Sequence, residues 1–452
     1  MQIVFLGDFI DFDIGGYNLS FLCYKGGILM PFLRIFYYFC SIKFSLSSNM
    51  ILFSIWGFTP VQVVVFLLLV VLFVVEVIYL FAIYNRVSQY ARRAATARVV
   101  YASDLPSVSV VVYAHAEEAE NLPNLLPALL AQDYPCYEVI VVNDAVSFEM
   151  QNAIALYECE YSNVYQTSVP ETVYNVSRKK LGITLGVKAA KNDVIVLIES
   201  NCKPQGNSWL MSMARNFVPG IDVVLGYTRM VDNSGKKQSG FQAFNRALFA
   251  IRYLAYAIIG KPYMGVGSNM AYRKEVFFAN KGFSATLNLH YGDDDLLINE
   301  IAHGRNTRVE IAPESIVESR HDNVKEAWDE SRMKYGFTSK YLRTSSRRVF
   351  AIEMLVDILF ALTFVASVVL LLPQVIEGAV PAVVAMSIVA LLLIVLWLLV
   401  WHVYHRAAQV LGESIRPALV PLYSLVRPVS ELFFSFQSKG RKSSNFTWQQ
   451  LR

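Results

Sequence analysis

The chain is predominantly apolar along three segments, residues 61–84, 351–372 and 380–402. Each segment is long enough to cross the hydrocarbon core of a bilayer as a helix, which takes about 20 residues. Glu76 is the single charged residue of the first segment. An ionisable group at that depth is costly unless it is protonated or paired with another helix. The pattern therefore predicts three membrane-spanning helices.

Basic residues mark the ends of these segments. Arginines follow the first segment and precede the second, whereas the loop at residues 373–380, between the second and third, has Glu377 and no basic residue. Because basic residues concentrate on the cytoplasmic side of membrane helices, the pattern predicts that residues 100–345 lie in the cytoplasm and the loop outside.

Between the first and second segments, short β-branched runs alternate with helical patterns. The runs are Val108–Val112, Val139–Val142 and Val194–Ile198, and the helical stretches are Glu117–Ala131 and Leu185–Ala190. Strands that alternate with helices are typical of parallel βαβ units. The expected fold class of this region is therefore α/β.

Polar residues follow each predicted strand directly. They are residues 114–118, Asn143 with Asp144, and residues 199–201. Ligands of open α/β sheets bind at the carboxyl ends of the strands, so these positions predict a binding site. The glycine pattern GxGxxG is absent after the first run, which argues against a dehydrogenase.

Composition narrows the class further. The apolar share is 55%, the charged share is 17%, and the mean hydropathy is +0.39, which together favour membrane segments over one large core. The net charge is only +4, and the basic residues cluster beside apolar segments, so no nucleic-acid partner is expected. The five cysteines have neither CxxC spacing nor histidines at zinc-binding distances, which favours reduced thiols.

The two ends of the chain are less regular. Residues 1–49 are apolar and aromatic, and they end just before Met50, which opens an ordinary anchor sequence. Two interpretations remain open: translation begins at Met50, or residues 1–49 are a genuine extra segment. The expected units are an uncertain segment at 1–49, an anchor and basic linker at 50–99, a cytoplasmic domain at 100–345, two membrane helices at 346–402, and an interfacial segment at 403–452. The last unit is expected to lie at the membrane surface because prolines and arginines interrupt its apolar residues.

Three consecutive carboxylates, Asp293, Asp294 and Asp295, precede a short apolar helical pattern. Like charges at this spacing repel one another and raise the pKa of at least one of them. One interpretation is an acidic first turn of a helix that begins near Leu296, where the helix dipole favours negative charge. The other is a site that handles a metal ion or a proton.

Five motifs in sequence resemble glycosyltransferase family 2 of the membrane-anchored bacterial type. They are VSVVVYAHAEEAENL at 108–122, YEVIVVNDAV at 137–146, KKLGITLGVKAAKNDVIVLIESNCK at 179–203, and GVGSNMAYRKEVFF with GDDDLL within 262–297. The resemblance covers about residues 105–345. It implies a GT-A fold, which is a Rossmann-like α/β domain that transfers a sugar from a nucleotide donor with inversion.

The resemblance also implies roles for individual residues. It assigns the nucleoside to Ala114 and Glu117, the base to Asp144, and the diphosphate to Lys179. It assigns the metal to Glu199 and Asn201, and general-base catalysis to Asp294, with Asp293 as its acidic neighbour. The positions of the family's QxxR motif hold Ser331 and Lys334. Gly265 and Gly267 fall in the acceptor loop, where they either supply turn conformations or let a ligand approach the backbone.

Several of these positions depart from the family pattern. Glu199 and Asn201 replace the two metal-binding aspartates, which removes one formal charge. An Asn carbonyl oxygen and the longer Glu side chain still ligate hard cations, so the expected binding of Mg²⁺ or Mn²⁺ is weakened rather than excluded. Lys334 keeps a cation at the QxxR position but lacks the bidentate fork of Arg.

The sequence therefore predicts a multi-pass protein of the cell inner membrane that acts as an inverting glycosyltransferase. Its expected partners are a nucleotide-sugar donor, a glycan or lipid-linked acceptor of the cell envelope, and the lipid bilayer. Two alternatives remain open. One is a degenerate family member that binds a nucleotide sugar or a partner transferase without turnover, and the other is a non-enzymatic membrane scaffold.

Overall fold

The computed structural model describes residues 57–96, 98–144, 148–170, 176–237, 239–420, 422–424, 426–427 and 430. It also gives backbone strands β1 (Ile3–Leu6), β2 (Phe9–Ile14) and β3 (Tyr17–Leu22), which pair as an antiparallel sheet. The rest of the predicted N-terminal segment and residues 431–452 of the predicted interfacial segment lie outside the described residues, as does the side chain of Glu117.

Three helices are long and apolar enough to span a membrane, as the sequence predicts. They are α1 (Pro60–Tyr79), which continues through a π-helical turn (Leu80–Tyr84) into α2 (Arg86–Ala95), then α11 (Thr344–Ile376) and α12 (Val380–Val410). The first begins at a capping box, in which Thr59 and Gln62 satisfy each other's backbone amides and Pro60 fills the first helical position.

The last helix is longer than its apolar run. The sequence places its end at residue 402 and assigns the following residues to an interfacial helix, but α12 continues to Val410. Val403, Tyr404, Ala407 and Ala408 are buried in the same core as the α/β domain. The additional turns are thus stabilised by packing against the domain rather than by the bilayer.

The α/β domain is built on a seven-stranded mixed sheet in the order β12-β9-β11-β7-β4-β5-β6, with a second sheet in the order β10-β13-β8. The strands are β4 (Val108–Ala114), β5 (Tyr137–Asn143), β6 (Val164–Ser168), β7 (Val194–Glu199), β8 (Cys202–Pro204), β9 (Val223–Leu225), β10 (Thr228–Asp232), β11 (Met270–Arg273), β12 (Thr307–Val309) and β13 (Val317–His321). Strands β7, β4, β5 and β6 are parallel, whereas β11 is antiparallel to both of its neighbours. The predicted α/β class and the three predicted strands are confirmed.

Helices cover both faces of the large sheet. Because side chains alternate along a strand, Val110 and Val112 of β4 pack into one core and Val111 into the other. The helices of the domain are a 3₁₀ turn (Ala116–Asn121), α3 (Leu122–Leu130), α4 (Phe148–Glu160), α5 (Arg178–Ala189), α6 (Trp209–Ala214), α7 (Phe241–Ile258), α8 (Lys274–Ala279), α9 (Asp295–Ile301) and α10 (Val324–Thr338). Central strands buried on both faces explain the continuous β-branched runs of the sequence.

Charged residues join the membrane helices to the domain. Glu353 of α11 is buried and forms an ion pair with Arg252 of α7, with 2.7 Å between Nη2 and Oε1. Arg427 forms ion pairs with Glu353, at 3.9 Å, and with Asp357. Glu76 of α1 forms a hydrogen bond with Asp357, so it has a partner on another membrane helix.

Candidate active site

The ends of three parallel strands meet at one edge of the large sheet. Tyr113 of β4 is level with Glu199 of β7, and Ala114 is level with Asn143 of β5. The amide of Asp144 donates to the carbonyl of the buried Ala114 at 3.0 Å. The polar residues that follow the predicted strands are thus adjacent in space, as the sequence predicts.

Lys179 connects two carboxylates from different elements. Its Nζ lies 2.5 Å from Oε1 of Glu199 and 2.9 Å from Oδ2 of Asp293. Burial alone would lower the pKa of Lys179, but Asp293 and Glu199 outweigh burial and raise it above its ordinary value. The Lys179 ammonium lowers the pKa of Glu199 in return. Both carboxylates are therefore charged and neutralised by a cation that the chain itself supplies.

Arg178, the residue before Lys179, binds Asp144, which follows the neighbouring strand β5. Arg178 Nε donates to Oδ1 of Asp144 at 2.8 Å, and its Nη2 donates to the Asp144 carbonyl. The Tyr113 hydroxyl donates to the other carboxylate oxygen of Asp144. Asp144, predicted to contact the base of the donor, is thus fixed in orientation by side chains from β4 and α5.

Lys180 is part of the protein interior. Its Nζ donates to the carbonyl oxygens of Thr286, Leu289 and Tyr291 at 2.6, 3.2 and 2.8 Å. Burial lowers the pKa of Lys180 to about 8. Each of the three consecutive cations at residues 178–180 therefore has its own partners.

Asp294 lies at the start of α9 and is almost fully buried. Its Oδ2 accepts from Lys334 Nζ at 3.0 Å, from the Tyr335 hydroxyl at 3.0 Å, and from the amide of Gly267 at 3.3 Å. Its Oδ1 accepts from the Asp295 amide at 2.8 Å, so Asp294 also caps the helix. The helix-start interpretation of the acidic run is thus correct, and the same residue lies among charged side chains.

The two residues beside Asp294, Asp293 and Asp295, have pKa values that are shifted in opposite directions. Burial alone would raise the pKa of Asp293, but Lys179 and Lys334 hold it well below its ordinary value. Burial and the charge of Asp294 raise the pKa of Asp295 to about 7, and Thr338 donates a hydrogen bond to this carboxyl. The repulsion expected from three adjacent carboxylates is thus relieved by two lysines beside Asp293, and it contributes to the raised pKa of Asp295.

A cavity of about 120 Å³ lies beside this cluster. The predicted site residues that line it are Glu199, Gly267, Asp294, Ser331 and Lys334. Ser331 donates its hydroxyl to the Ala327 carbonyl one turn earlier in α10, at 2.9 Å. The structure therefore brings together the residues that the resemblance assigns to the base, to one metal position and to the QxxR motif.

The two predicted loop glycines differ in surroundings. A Cβ at Gly265 would lie 3.0 Å from side-chain atoms of Ile298 and Leu225, which indicates tight packing in the core. A Cβ at Gly267 would lie 3.4 Å from Cβ of Asp294 and would point toward the carboxylates. Only Gly267 of the pair lines the cavity, so a close approach of ligand to backbone is supported at Gly267.

Glu199 and Asn201, the predicted metal ligands, do not form a cation site by themselves. One Glu199 oxygen accepts from Lys179, and the Asn201 side-chain oxygen accepts from the Cys202 thiol at 3.4 Å. Among the described residues, no group of three or more His, Cys, Asp or Glu side chains is arranged to hold a metal. Both predicted ligands are thus engaged by neighbouring side chains, and the expectation of Mg²⁺ or Mn²⁺ stays a prediction.

Sequence reasoning missed several residues of the cavity wall. Arg246, His321, Trp328, Tyr335 and Glu413 line it. Tyr335 had a detectable signal, because it directly follows the QxxR position. The others come from segments that no motif marked, and one of them follows the last membrane helix.

One family profile matches most of the chain. The profile of glycosyl transferase family 21 matches residues 67–429, a range that includes most of α1 and all of α11 and α12. The chain therefore belongs to glycosyl transferase family 21, and it is a glycosyltransferase. Its Rossmann-like α/β sheet and three apolar helices agree with the GT-A architecture that the resemblance implies. The narrower assignment to family 2 and to the membrane-anchored bacterial type stays a prediction.

Solved structures with some similarity are glycosyltransferases as well. The mannosyltransferase PcManGT from Pyrobaculum calidifontis, in complex with GDP-Man and Mn²⁺, is 15% identical over 80% of this chain and 99% of that chain, with a TM-score of 0.44. S. aureus TarS is 17% identical over 52% and 39%, with a TM-score of 0.36. GalNAc-T7 with UDP, GalNAc and Mn²⁺ is 14% identical over 49% and 45%, with a TM-score of 0.37. These scores are low, so the assignment rests on the family profile. No curated protein sequence matches the chain.

Proposed function

We propose that this protein is an inverting glycosyltransferase in which Asp294 is the general base. The observation that carries the proposal is the Asp294 carboxylate, which lines a cavity at the edge of the sheet and is paired with Lys334 at 3.0 Å. A single displacement with inversion needs a carboxylate that removes the proton of the acceptor hydroxyl as this attacks. Asp294 is such a carboxylate, and it lines the internal cavity.

In the proposed reaction, the acceptor oxygen forms a bond to the anomeric carbon of the donor sugar. The bond from that carbon to the diphosphate oxygen breaks, the acceptor proton moves to Asp294, and a nucleoside diphosphate leaves. Lys334, Tyr335 and the Gly267 amide all donate to Oδ2 of Asp294. They fix the carboxylate in one orientation, which is the protein's main contribution to a proton transfer.

The leaving diphosphate develops negative charge, which a positioned cation stabilises. Lys179 is the cation at the ends of the parallel strands, and its ammonium is held between Glu199 and Asp293. We assign Lys179 to the diphosphate and Asp144, fixed by Arg178, to the base of the nucleotide. Ala114 and Glu117 complete the proposed nucleoside site, and Asn201 and Ser331 are proposed to contact the donor or the acceptor.

The membrane helices suggest the location of the acceptor. Three helices long and apolar enough to span a bilayer flank the domain, and two of them share its core. We propose that residues 100–345 face the cytoplasm at the cell inner membrane, and that the acceptor is a glycan or lipid-linked component of the cell envelope. The arginine distribution around the spans supports this orientation.

One observation favours the competing function, a member that binds a nucleotide sugar without turnover. Lys179 occupies the space between Glu199 and Asp293, and the positions of the family's metal-binding aspartates hold Glu199 and Asn201. If the protein binds a donor without turnover, Lys179 takes the place of a catalytic cation, and its only role is to stabilise the fold.

A screen of nucleotide sugars against the purified full-length protein separates these functions. Calorimetry measures donor binding, and release of nucleoside diphosphate measures turnover, each with and without Mg²⁺ or Mn²⁺. We expect binding of one donor class and turnover on addition of membrane extract as the acceptor source. Binding without turnover would favour the non-catalytic function, and absence of binding to all donors would favour a scaffold.

A further inference from the structure

Exposed cations lie in the segment that joins α10 to the membrane helix α11. α10 ends at Thr338, and α11 begins at Thr344. Among the described residues, the exposed cations of this segment and of the start of α11, together named the basic turn, are Lys340, Arg343, Arg347 and Arg348. The first turn of α11 has no acidic residue. The helix itself does not explain the arginines, because the N-terminal end of a helix carries partial positive charge and disfavours cations.

Carboxylates of the domain do not pair with the basic turn. Arg343 Nη2 donates to the Glu300 carbonyl at 2.8 Å, whereas the Glu300 carboxylate accepts from Asn280 at 2.9 Å. Arg347 Nη1 donates to the Lys340 carbonyl at 3.3 Å. Within the described part of the chain, none of the cations of the basic turn forms an ion pair with an acidic side chain. Their charges are therefore available to a partner outside the domain.

The exposed face of α11 changes from basic to apolar within about one turn. Arg347 and Arg348 are exposed, and beyond them the large apolar side chains of Ile352 and Leu355 are each 53% exposed. α11 is long and apolar enough to span a membrane, so we expect these apolar side chains to contact lipid tails. Arg348 and Ile352 are one helical turn apart, which is about 5–6 Å along the axis. The basic turn therefore lies where the headgroup layer of the bilayer begins.

Aromatic rings accompany these cations. Lys340 Nζ lies 4.4 Å from the ring centre of Phe337 and 5.1 Å from that of Tyr341, and Tyr341 is 47% exposed. Tyrosine is enriched at the interface between membrane and water, where the ring and the hydroxyl meet different surroundings. An exposed tyrosine among cations, next to an apolar helix, thus agrees with a lipid surface as the partner.

The basic turn is also connected to the catalytic cluster. The Arg343 amide donates to Oδ1 of Asn299 at 2.9 Å, and Asn299 lies on α9, the helix that Asp294 caps. On the other side of the turn, α10 carries Lys334 and Tyr335, which both donate to Asp294. A lipid bound at the basic turn would therefore contact the segment that joins both active-site helices to the membrane.

We propose that the basic turn binds the phosphate groups of anionic phospholipids at the membrane surface and thereby positions α9 and α10 relative to the bilayer. The proposal goes beyond the transfer reaction, because it concerns phospholipids of the bilayer rather than the donor or the acceptor. Headgroups with a net negative charge are favoured, since each basic residue near an anionic lipid surface contributes about fivefold in affinity.

Binding of short-chain phospholipids to the full-length protein in a neutral detergent tests the proposal. The probes are dihexanoyl phosphatidylglycerol, which is anionic, and dihexanoyl phosphatidylcholine, which is zwitterionic, and calorimetry at low and high salt measures their affinities. At low salt we expect phosphatidylglycerol to bind at least about tenfold more tightly. High salt should reduce this preference, because it screens exposed charges.

Matched variants assign the preference to the basic turn. Arg347→Gln combined with Arg348→Gln should lower the preference for phosphatidylglycerol by about tenfold, since two of the cations are lost. Arg347→Lys combined with Arg348→Lys keeps both charges and should retain the preference. Lys188→Gln combined with Lys191→Gln removes two exposed cations that are distant in sequence from the membrane helices, and it should leave the preference unchanged.

Three results would overturn the proposal. They are equal affinities of the wild type for the two lipids, an unchanged preference in Arg347→Gln with Arg348→Gln, and displacement of phosphatidylglycerol by an equal concentration of inorganic phosphate, which would indicate a site for free anions. If the double Gln variant does not fold, the comparison of the two lipids on the wild type decides. Lipid binding requires no turnover, so a failure of the proposed transfer reaction is distinguishable from a failure of this proposal.

Turnover in nanodiscs tests the positioning of α9 and α10. We expect faster turnover in nanodiscs that contain phosphatidylglycerol than in nanodiscs of phosphatidylcholine alone, and loss of this difference in Arg347→Gln with Arg348→Gln. Equal wild-type turnover in the two kinds of nanodisc would contradict the positioning.

Discussion

Lys179 and Asp293 form a partly buried ion pair, with 2.9 Å between Nζ and Oδ2, which joins the first turn of α5 to the residue before the Asp294 carboxylate. The same ammonium lies 2.5 Å from Glu199 at the end of β7. One side chain therefore connects the strand ends assigned to the donor with the acidic run assigned to the base. The arrangement makes the charge of Lys179 central to the chemistry of the site.

Removal of that charge should impair turnover more than folding. We expect Lys179→Gln to lower turnover by about 10- to 100-fold, because the leaving diphosphate loses a positioned cation. Glu199 and Asp293 then lose the ammonium group between them. Added Mn²⁺ should therefore replace that positive charge and restore part of the activity. Turnover as a function of Mn²⁺ concentration is the measurement, with Lys188→Gln as a control, because Lys188 is exposed on the same helix. Unchanged turnover in Lys179→Gln would contradict the assigned role.

The metal positions allow a gain-of-binding experiment. We expect Glu199→Asp combined with Asn201→Asp to tighten divalent-cation binding by roughly tenfold or more, because affinity for hard cations rises with the number of carboxylate ligands. Calorimetric titration with Mn²⁺ in the presence of donor measures the change. Equal affinity in the wild type would mean that Glu199 and Asn201 already form a competent site, contrary to the donor set described above.

The raised pKa of Asp295 predicts a pH effect on stability. A carboxyl whose folded-state pKa lies near 7 takes up a proton on folding, so its contribution to stability falls as pH rises from its ordinary value near 4 to about 7. An Asn side chain has nearly the same shape as the protonated Asp295 carboxyl, and it stays uncharged as pH rises. Asp295→Asn should therefore gain stability relative to the wild type as pH rises through that window, measured by thermal unfolding. A constant difference between pH 4 and pH 8 would contradict the raised pKa.

The strands and their ends could be predicted from local sequence, because central parallel strands are continuous β-branched runs and ligand residues follow them directly. Asp294 could be predicted because a short motif carries it. Lys180 could not, since its partners at Thr286, Leu289 and Tyr291 are 106 to 111 residues away. The sequence alone therefore does not distinguish a buried lysine from a solvated one.

Arg246 and the end of α12 were missed for the same physical reason. Arg246 lies on a helix with no motif, and the packing of α7 beside α10 places it in the wall of the cavity that Asp294 also lines. The residues from Val403 to Val410 remain helical because they bury against the domain, whereas hydropathy alone ends the span at residue 402. Contacts between distant segments decide both features.

Cysteine labelling tests the proposed topology. Cys136 and Cys159 are exposed on the domain, whereas Cys202 is buried. In a variant with Cys23→Ser and Cys40→Ser, a membrane-impermeant thiol reagent should leave intact cells unlabelled and should label Cys136 and Cys159 after the membrane is opened. Labelling of either cysteine in intact cells would place the domain outside.

The most direct test of the account is turnover of Asp294→Asn, with the nucleotide sugar that gives the highest wild-type rate. Asn keeps the size of the side chain and one oxygen for the donors around it, but it cannot accept a proton from the acceptor. We predict a fall in turnover of about 100-fold or more with donor affinity little changed, while the exposed Asp193→Asn at the opposite end of β7 retains full turnover. Turnover of Asp294→Asn close to that of the wild type would contradict Asp294 as the base.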